Sequence, residues 1–344
     1  GLVHAQMANG CPLSSWTQNS IVALSTSTSG EVQGPYTFSQ SLLPAFAHNP
    51  TIRRDAQGNF VIFFIGSWKM DTKDCRAGKT SNNNNNAQKM YLDPNANSED
   101  EAGAKCNGAT WPKSCGPNMP GPMNDTCGPF HASYRGNAGC GISIASSKSL
   151  AGPWKVQPLK IKNQWESDEV YCAHTNPSPV FLPNGTVVMA FNAGFCNGGL
   201  ETIGIASAPH WSGPYTLLAK NAVLRNPDGS PHHCEDPTLW KSERGWHLLT
   251  HNQQGPQGGS SYGFSKDAVN WTLAQNTPYN CTIKYTDGTQ AEASGCGNRP
   301  QLVFSDSVAQ GGPPLWLING ANTAKPLNGT NTWTLFRKLK ASNQ

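Results

Sequence analysis

Charge is scarce in this sequence: Asp, Glu, Lys and Arg make up 13% of its 344 residues, and the formal net charge is +4. No Lys/Arg block stands out, so nucleic acid is not an expected partner. No apolar run approaches the ~20 residues that span a bilayer as a helix, and no membrane span is expected. No stretch keeps a 3.6-residue apolar spacing. Gly and Pro abound instead, 35 and 26 of them, which favours a turn-rich β protein over a helical one. The cysteines lack the paired CxxC spacing of a zinc site. The chain opens on Gly1 without a leader segment, as a processed mature form would.

What is present is a repeat. Asn49-Pro50-Thr51-Ile52, Asn176-Pro177-Ser178-Pro179, Asp236-Pro237-Thr238-Leu239 and Arg299-Pro300-Gln301-Leu302 each open a short apolar run. Most of these runs pass a Gly-centred turn into a second one, as at Gly58 to Phe64, Gly185 to Phe191 and Gly245 to Leu249. A third follows at Ile142 to Ser147 and at Ile203 to Ser207, and Gly152-Pro153-Trp154 or Gly213-Pro214-Tyr215 closes the unit. Four short strands at a fixed period are the mark of propeller blades. Pro177, Pro237 and Pro300 are 60 and 63 residues apart, whereas Pro50 and Pro177 are 127 apart. The long gap becomes regular with an insert of about 65 residues in the first blade. Residues 67–140, rich in Asn, Gly, Pro and Cys and without strand or helix period, supply it.

Ile21 to Ser27 and Gly34 to Phe38 match third and fourth strands, which calls for a fifth blade. Its inner strands would come from residues 1–20 or from the C-terminal end, and some closure between the termini is expected, because it removes exposed sheet edges. The expected fold is therefore all-β: a five-bladed β-propeller, one domain over 1–344, with a long disulfide-rich insert at 67–140. A β-sandwich is the alternative, but its strands do not recur in sets of four.

Eleven cysteines point to an oxidising, extracellular compartment. Disulfides among Cys75, Cys106, Cys115, Cys127, Cys140, Cys172, Cys196, Cys234, Cys281 and Cys296 are expected, most of all within the insert, which has no core of its own to offset its ordering entropy. Cys11 completes the odd count, so at least one thiol is left over, either buried or available for self-association. Sequons at Asn124, Asn184, Asn270, Asn280 and Asn328 agree with secretion.

In a propeller the residues that open the inner strands converge at the channel mouth. Here these are His48-Asn49, Thr175-Asn176, Glu235-Asp236 and Asn298-Arg299. His232-His233-Cys234-Glu235-Asp236 is the densest polar cluster. It reads either as a sugar or cation site built on His233, Glu235 and Asp236, or as a strand start capped by Asp236. No cofactor is required, although a Ca²⁺ ion at the channel is compatible with converging oxygen donors.

The runs Ala47 to Phe64, Asn176 to Phe181 with Asn184-Gly185, and Glu235 to Trp240 resemble the five-bladed glycoside hydrolases of the arabinanase and β-xylosidase group, family 43, whose relatives include the invertase and levansucrase families. That resemblance implies three carboxylates at the mouth: a basic Asp in the first blade, a second Asp that tunes the acid, and an acidic Glu from a later blade. Hydrolysis with inversion needs one ionised and one protonated carboxyl, about 6.5–9.5 Å apart. Here the two Asp positions are Asn49 and Asn176, and an amide neither takes a proton from water nor carries charge. Glu235 and Asp236 alone keep carboxylates at a comparable place.

Glu166, Asp168, Glu169, Asp71, Asp74 and Glu201 are further carboxylates within reach, although such loop clusters are most often solvated turns. Of the eleven Trp residues, Trp68, Trp165, Trp240 and Trp246 are expected near the mouth as sugar platforms, and Trp154 and Trp271 as core. Candidate catalytic residues are Glu235 and Asp236; candidate binding residues are His48, Asn49, Asn176, His233, Arg299 and Trp240. The expected function is a secreted carbohydrate-binding propeller, without the standard hydrolytic triplet, whose partner is a polysaccharide or glycan. The alternatives are an active glycoside hydrolase with a rearranged carboxylate set, Glu235 as acid and Asp236 or a residue of 166–169 as base, and a structural subunit of an extracellular glycoprotein assembly.

Overall fold

The computed structural model describes residues 2–7, 20–43, 47–67, 105–106, 109–110, 140–162, 170, 174–194, 200–254, 259–306, 311–322 and 332–340. The chain has the all-β, five-bladed propeller fold, and no helix occurs among the described residues. It divides into two compact units, residues 1–159 and 160–344.

The first unit holds two blades. The N-terminal blade is three-stranded, in the order Leu2–Met7, Ser20–Ser27, Tyr36–Leu43. Its inner strand comes from residues 2–7, and no strand of the C-terminal region joins this sheet, so the described sheets show no strand exchange between the termini. The first repeat forms the second blade, Ala47–Arg54, Phe60–Ser67, Cys140–Ser147 and Lys155–Pro158. Phe60 to Ser67 pairs in unbroken antiparallel register with Ser147 to Cys140. The insert therefore sits between the second and third strands of this blade. Val22, Leu42, Leu43, Ala47, Ile62, Phe64, Ala145 and Trp154 form the buried core between the two sheets.

The second unit holds three blades. The second repeat gives Thr175–Phe181, Val187–Gly194, Glu201–Ala208 and Tyr215–Leu217, with Ile161–Lys162 added in parallel at the outer edge. The third gives Cys234–Ser242, Gly245–Asn252, Ser260–Ser265 and Trp271–Leu273. The fourth gives Gly295–Asp306, Gly311–Asn322 and Thr332–Lys338, preceded by a small hairpin, Thr282–Lys284 with Gln290–Glu292. Val188, Ala190, Ile203 and Ile205 of the second-repeat blade pack on Leu239, Trp246 and Leu248 of the third-repeat blade. Side chains of one parity on each strand thus fill the space between adjacent sheets.

The Gly-Pro-aromatic signature is a turn into the outer strand. Gly34, Gly152 and Gly213 have φ of 85°, 77° and 81°, in the left-handed region that favours glycine. A Cβ on Gly34 would lie 2.7 Å from the Tyr36 ring. The tyrosines repeat one bond: Tyr36 Oη donates to Val32 O (2.5 Å), and Tyr215 Oη to Trp211 O (2.9 Å).

Candidate functional site

Proline decides where each inner strand bends. It cannot donate to the ladder, and all four repeats lose register across it: between His48 and Thr51, Thr175 and Ser178, Glu235 and Thr238, and Asn298 and Gln301. The residue before each proline turns left-handed, with φ of 46° at Asn49, 49° at Asn176, 54° at Asp236 and 49° at Arg299. Asn and Asp tolerate that conformation best, which accounts for three of the four. Arg299 is the exception, and its backbone N–H donates to Asp236 Oδ2 (3.2 Å).

In the second unit these bends bring Asn176, Asp236 and Arg299 together. Asn176 Nδ2 donates to Asp236 Oδ1 (2.6 Å), and Arg299 Nε lies 3.9 Å from the same oxygen. The Asp236 N–H donates to Asn192 Oδ1 (2.9 Å), and Asn192 is itself buried. Leu239 N donates to Ser178 Oγ (2.9 Å), and Thr238 Oγ1 donates to the Pro300 carbonyl. The third-repeat inner strand is thus tied to both neighbouring blades. Asp236 is buried and fully engaged, which is the strand-start role. Burial pushes its carboxyl up to about 6; the Arg299 charge opposes that rise and the Glu235 charge adds to it.

Beside this knot lies a cluster that no proline marks. Glu235 accepts from His251 Nδ1 (3.1 Å) and from Gln253 Nε2. Glu201 opens the third strand of the second-repeat blade, where the Glu235 and Asp236 charges reach its carboxyl. Burial, then the charges of Glu235 and Asp236, then hydrogen bonding toward Glu235, push the Glu201 carboxyl up to about 8. Burial alone would raise Glu235 too, but the His251 bond and charge, the Arg299 charge and the Glu201 bond bring it below the ordinary value. At neutral pH Glu201 is therefore the protonated donor and Glu235 the ionised acceptor. Carboxyl oxygens of Glu235 and Asp236 and a ring nitrogen of His251 lie within 4.8 Å of one another. Two carboxylates and an imidazole suit a divalent transition metal better than Ca²⁺, which takes six to eight oxygens.

The remaining candidates are placed as follows. His233 is half-buried, and burial lowers its ring while the Glu235 charge raises it. His232 is structural, bonded to Asn226 Oδ1 (2.8 Å) and Ser261 Oγ (2.7 Å). His48 is buried in the first unit, with Nδ1 2.6 Å from Ser20 Oγ, and Asn49 follows it there. Trp240 is a correction: it stands five residues along the strand from Glu235, about 16 Å away by strand rise. There it stacks on His247 (4.8 Å, 11°), so it packs the far end of the blade and forms no platform at the site. Trp246 is buried in the core, as are Trp154 and, in part, Trp271. Trp68, Trp165, Asp71, Asp74, Glu166, Asp168 and Glu169 lie outside the described residues.

Among the cysteines, Cys281 and Cys296 form a disulfide (S–S 2.08 Å) that anchors the small hairpin to the fourth-repeat inner strand. Cys234 is a second correction. It is a free, fully buried thiol whose Sγ lies 3.6 Å from the His232 carbonyl, not a disulfide partner. It shares a buried cluster with Val180, Ile203 and Leu239, and no other cysteine among the described residues belongs to that cluster. Cys75, Cys106, Cys115, Cys127, Cys140, Cys172 and Cys196 lie outside the described side chains. Asn184, Asn270 and Asn280 are exposed; Asn124 and Asn328 lie outside the described residues.

The chain matches no protein-family model and no curated protein. It is similar in structure to a family 117 glycoside hydrolase of the marine bacterium Zobellia galactanivorans, at 15% identity over 94% of this chain and 71% of that one, with a TM-score of 0.47. It is similar to an endo-arabinase of Bacteroides thetaiotaomicron, at 14% identity over 84% and 75% of the two chains, with a TM-score of 0.43. It is also similar to fructan 1-exohydrolase IIa of Cichorium intybus, at 15% identity over 86% of this chain and 42% of that one, with a TM-score of 0.45.

Proposed function

We propose that this chain is a secreted carbohydrate-binding propeller that holds a glycan at the Glu201, Glu235, His251 and Arg299 cluster without cleaving it. The observation that supports this reading is the engagement of Asp236, whose two carboxyl oxygens accept from Asn176 Nδ2 (2.6 Å) and from the Arg299 N–H (3.2 Å). Asp236 is spent on Asn176 and Arg299, and Asn176 and Asn49 carry amides where the resemblance leads one to look for Asp. The polar groups that remain, one carboxylate, one carboxylic acid, an imidazole and a half-exposed guanidinium, suit the hydroxyl pattern of a sugar.

A second reading, hydrolysis by a rearranged carboxylate set, has one observation in its favour. The environment drives the Glu201 and Glu235 carboxyls apart in acidity, as in a working acid and base. One experiment separates the two. The purified chain is screened against plant, algal and microbial polysaccharides, with retention and reducing-end release read together, alongside Glu235→Gln. Retention without release supports binding. Release that disappears in Glu235→Gln establishes the hydrolase and removes the proposal. Neither signal moves the reading to a structural role.

A further inference from the structure

We propose that Asn184 and Asn270 carry N-linked glycans, and that both stand at the end of the second unit opposite the Glu201–Glu235 cluster. The inference is independent of what the cluster binds.

Both asparagines open an Asn-x-Thr sequon, Asn184-Gly185-Thr186 and Asn270-Trp271-Thr272. A sequon alone is weak evidence, and the fold adds two things. The first is presentation. Asn184 is exposed in the turn that joins the first two strands of the second-repeat blade, where Gly185 N donates to Leu182 O (2.9 Å). Its Oδ1 accepts from Thr186 N (3.0 Å), which leaves Nδ2 as the group offered outward. Asn270 is exposed in the turn before Trp271–Leu273, where its Nδ2 donates to Asp267 Oδ2 (2.8 Å). A glycosylated amide keeps one N–H, so this bond survives the modification.

The second is direction. The inner strand Thr175–Phe181 starts at Asn176, beside Asp236, and runs away from it to the Asn184 turn. Five extended residues separate the two, about 17 Å at strand rise. In the third-repeat blade, Glu235 pairs with His251 at one end, and Trp246 pairs with Ser265 at the other. The turn that carries Asn270 follows Ser265 directly, so it shares the far end. Two sequons from different blades therefore point the same way, away from the cluster. Asn280 does not share this placement: it lies between Tyr279, which Asp236 influences, and the disulfide at Cys281.

The chemistry is one group transfer per site. Nδ2 bonds the anomeric carbon of an N-acetylglucosamine whose oligosaccharide is carried on a lipid diphosphate. The lipid diphosphate leaves with the electron pair of the broken C–O bond, and the amide nitrogen loses one proton.

The test is to pass the full chain through a eukaryotic secretory pathway, recover it from the medium, and release N-glycans enzymatically in heavy-oxygen water. Each asparagine that bore a glycan becomes a labelled aspartate, read by peptide mass. The proposal expects the label at both 184 and 270, and one glycan step lost from the intact mass in each of Asn184→Gln and Asn270→Gln. Thr186→Ser and Thr272→Ser, which preserve the sequons, keep the glycans and guard against a folding artefact. Secreted chain that lacks the label at either position overturns the proposal.

Discussion

The side-chain amide of Asn176 donates to Asp236 Oδ1 at 2.6 Å, so the residues that precede two successive repeat prolines hold one another across adjacent blades. Asp236 answers with its second oxygen to Arg299 N–H, the same position one repeat further on. Asp236→Ala strands both donors and puts a residue that disfavours the left-handed region at a φ of 54°. The expected loss is about 3 kcal/mol, from the unpaired buried groups and the left-handed backbone together. Asp236→Asn keeps an acceptor and the backbone preference and should lose about 1 kcal/mol. Urea unfolding of the two variants checks the order; equal losses would contradict it.

The buried Glu201 carboxyl has a pH signature. The Glu201 carboxyl lies at about 8 in the fold against an ordinary 4.5, so the native state binds its proton more tightly and stability falls as pH rises through that window. Asp236, at about 6, acts in the same direction at lower pH. Burial holds His174 down at about 4, which acts in the opposite direction and is complete above pH 6.5. Between pH 6.5 and 8, Glu201 is the one of these groups still titrating. The melting temperature should fall across that interval, and Glu201→Gln should flatten the fall. A variant that tracks the parent through the interval would rule this out.

Cys234 should resist alkylation in the folded protein. It is fully buried, and burial pushes its thiol up to about 12, so almost none is thiolate at neutral pH. Peptide mapping after iodoacetamide treatment should find it unmodified without denaturant and modified in guanidinium chloride. Labelling under native conditions would place the thiol elsewhere.

Cys281 and Cys296 are 15 residues apart in sequence. Closing a loop of that size constrains the unfolded chain by about 3 kcal/mol. Replacing both by Ala should lower stability by up to that amount. The residues that share their buried cluster, Ile283, Ala293, Ala321 and Leu335, should lose amide-exchange protection first. Uniform loss across the second unit would argue that the hairpin is not an independent element.

The blades were legible because proline and glycine punctuate them. Pro50, Pro177, Pro237 and Pro300 mark the inner strands, and Gly34, Gly152 and Gly213 mark the outer ones. The four left-handed residues of the inner strands could be named for the same reason, since each precedes a repeat proline. The rest of the site was not marked. Glu201 opens a third strand, while Asn192, His251 and Gln253 belong to second strands or their ends. No backbone constraint fixes the residue type there, so a polar side chain leaves no local signal of what it meets. Glu201 showed only as one carboxylate among several, and its nearness to the Glu235 and Asp236 charges depends on the packing of two sheets. Trp240 misled because it shares a strand with Glu235; period and rise along that strand place it at the other end.

The unbroken ladder from Phe60–Ser147 to Ser67–Cys140 means that the chain leaves the first-repeat blade and returns to it at facing positions. To the sheet, whatever lies between is a hairpin turn of arbitrary length. Because the entropy of closing such a turn grows only logarithmically with its length, the blade sets almost no limit on how much sequence can accumulate there. A change in the length of that segment need not shift the register of Phe60–Ser67 against Cys140–Ser147.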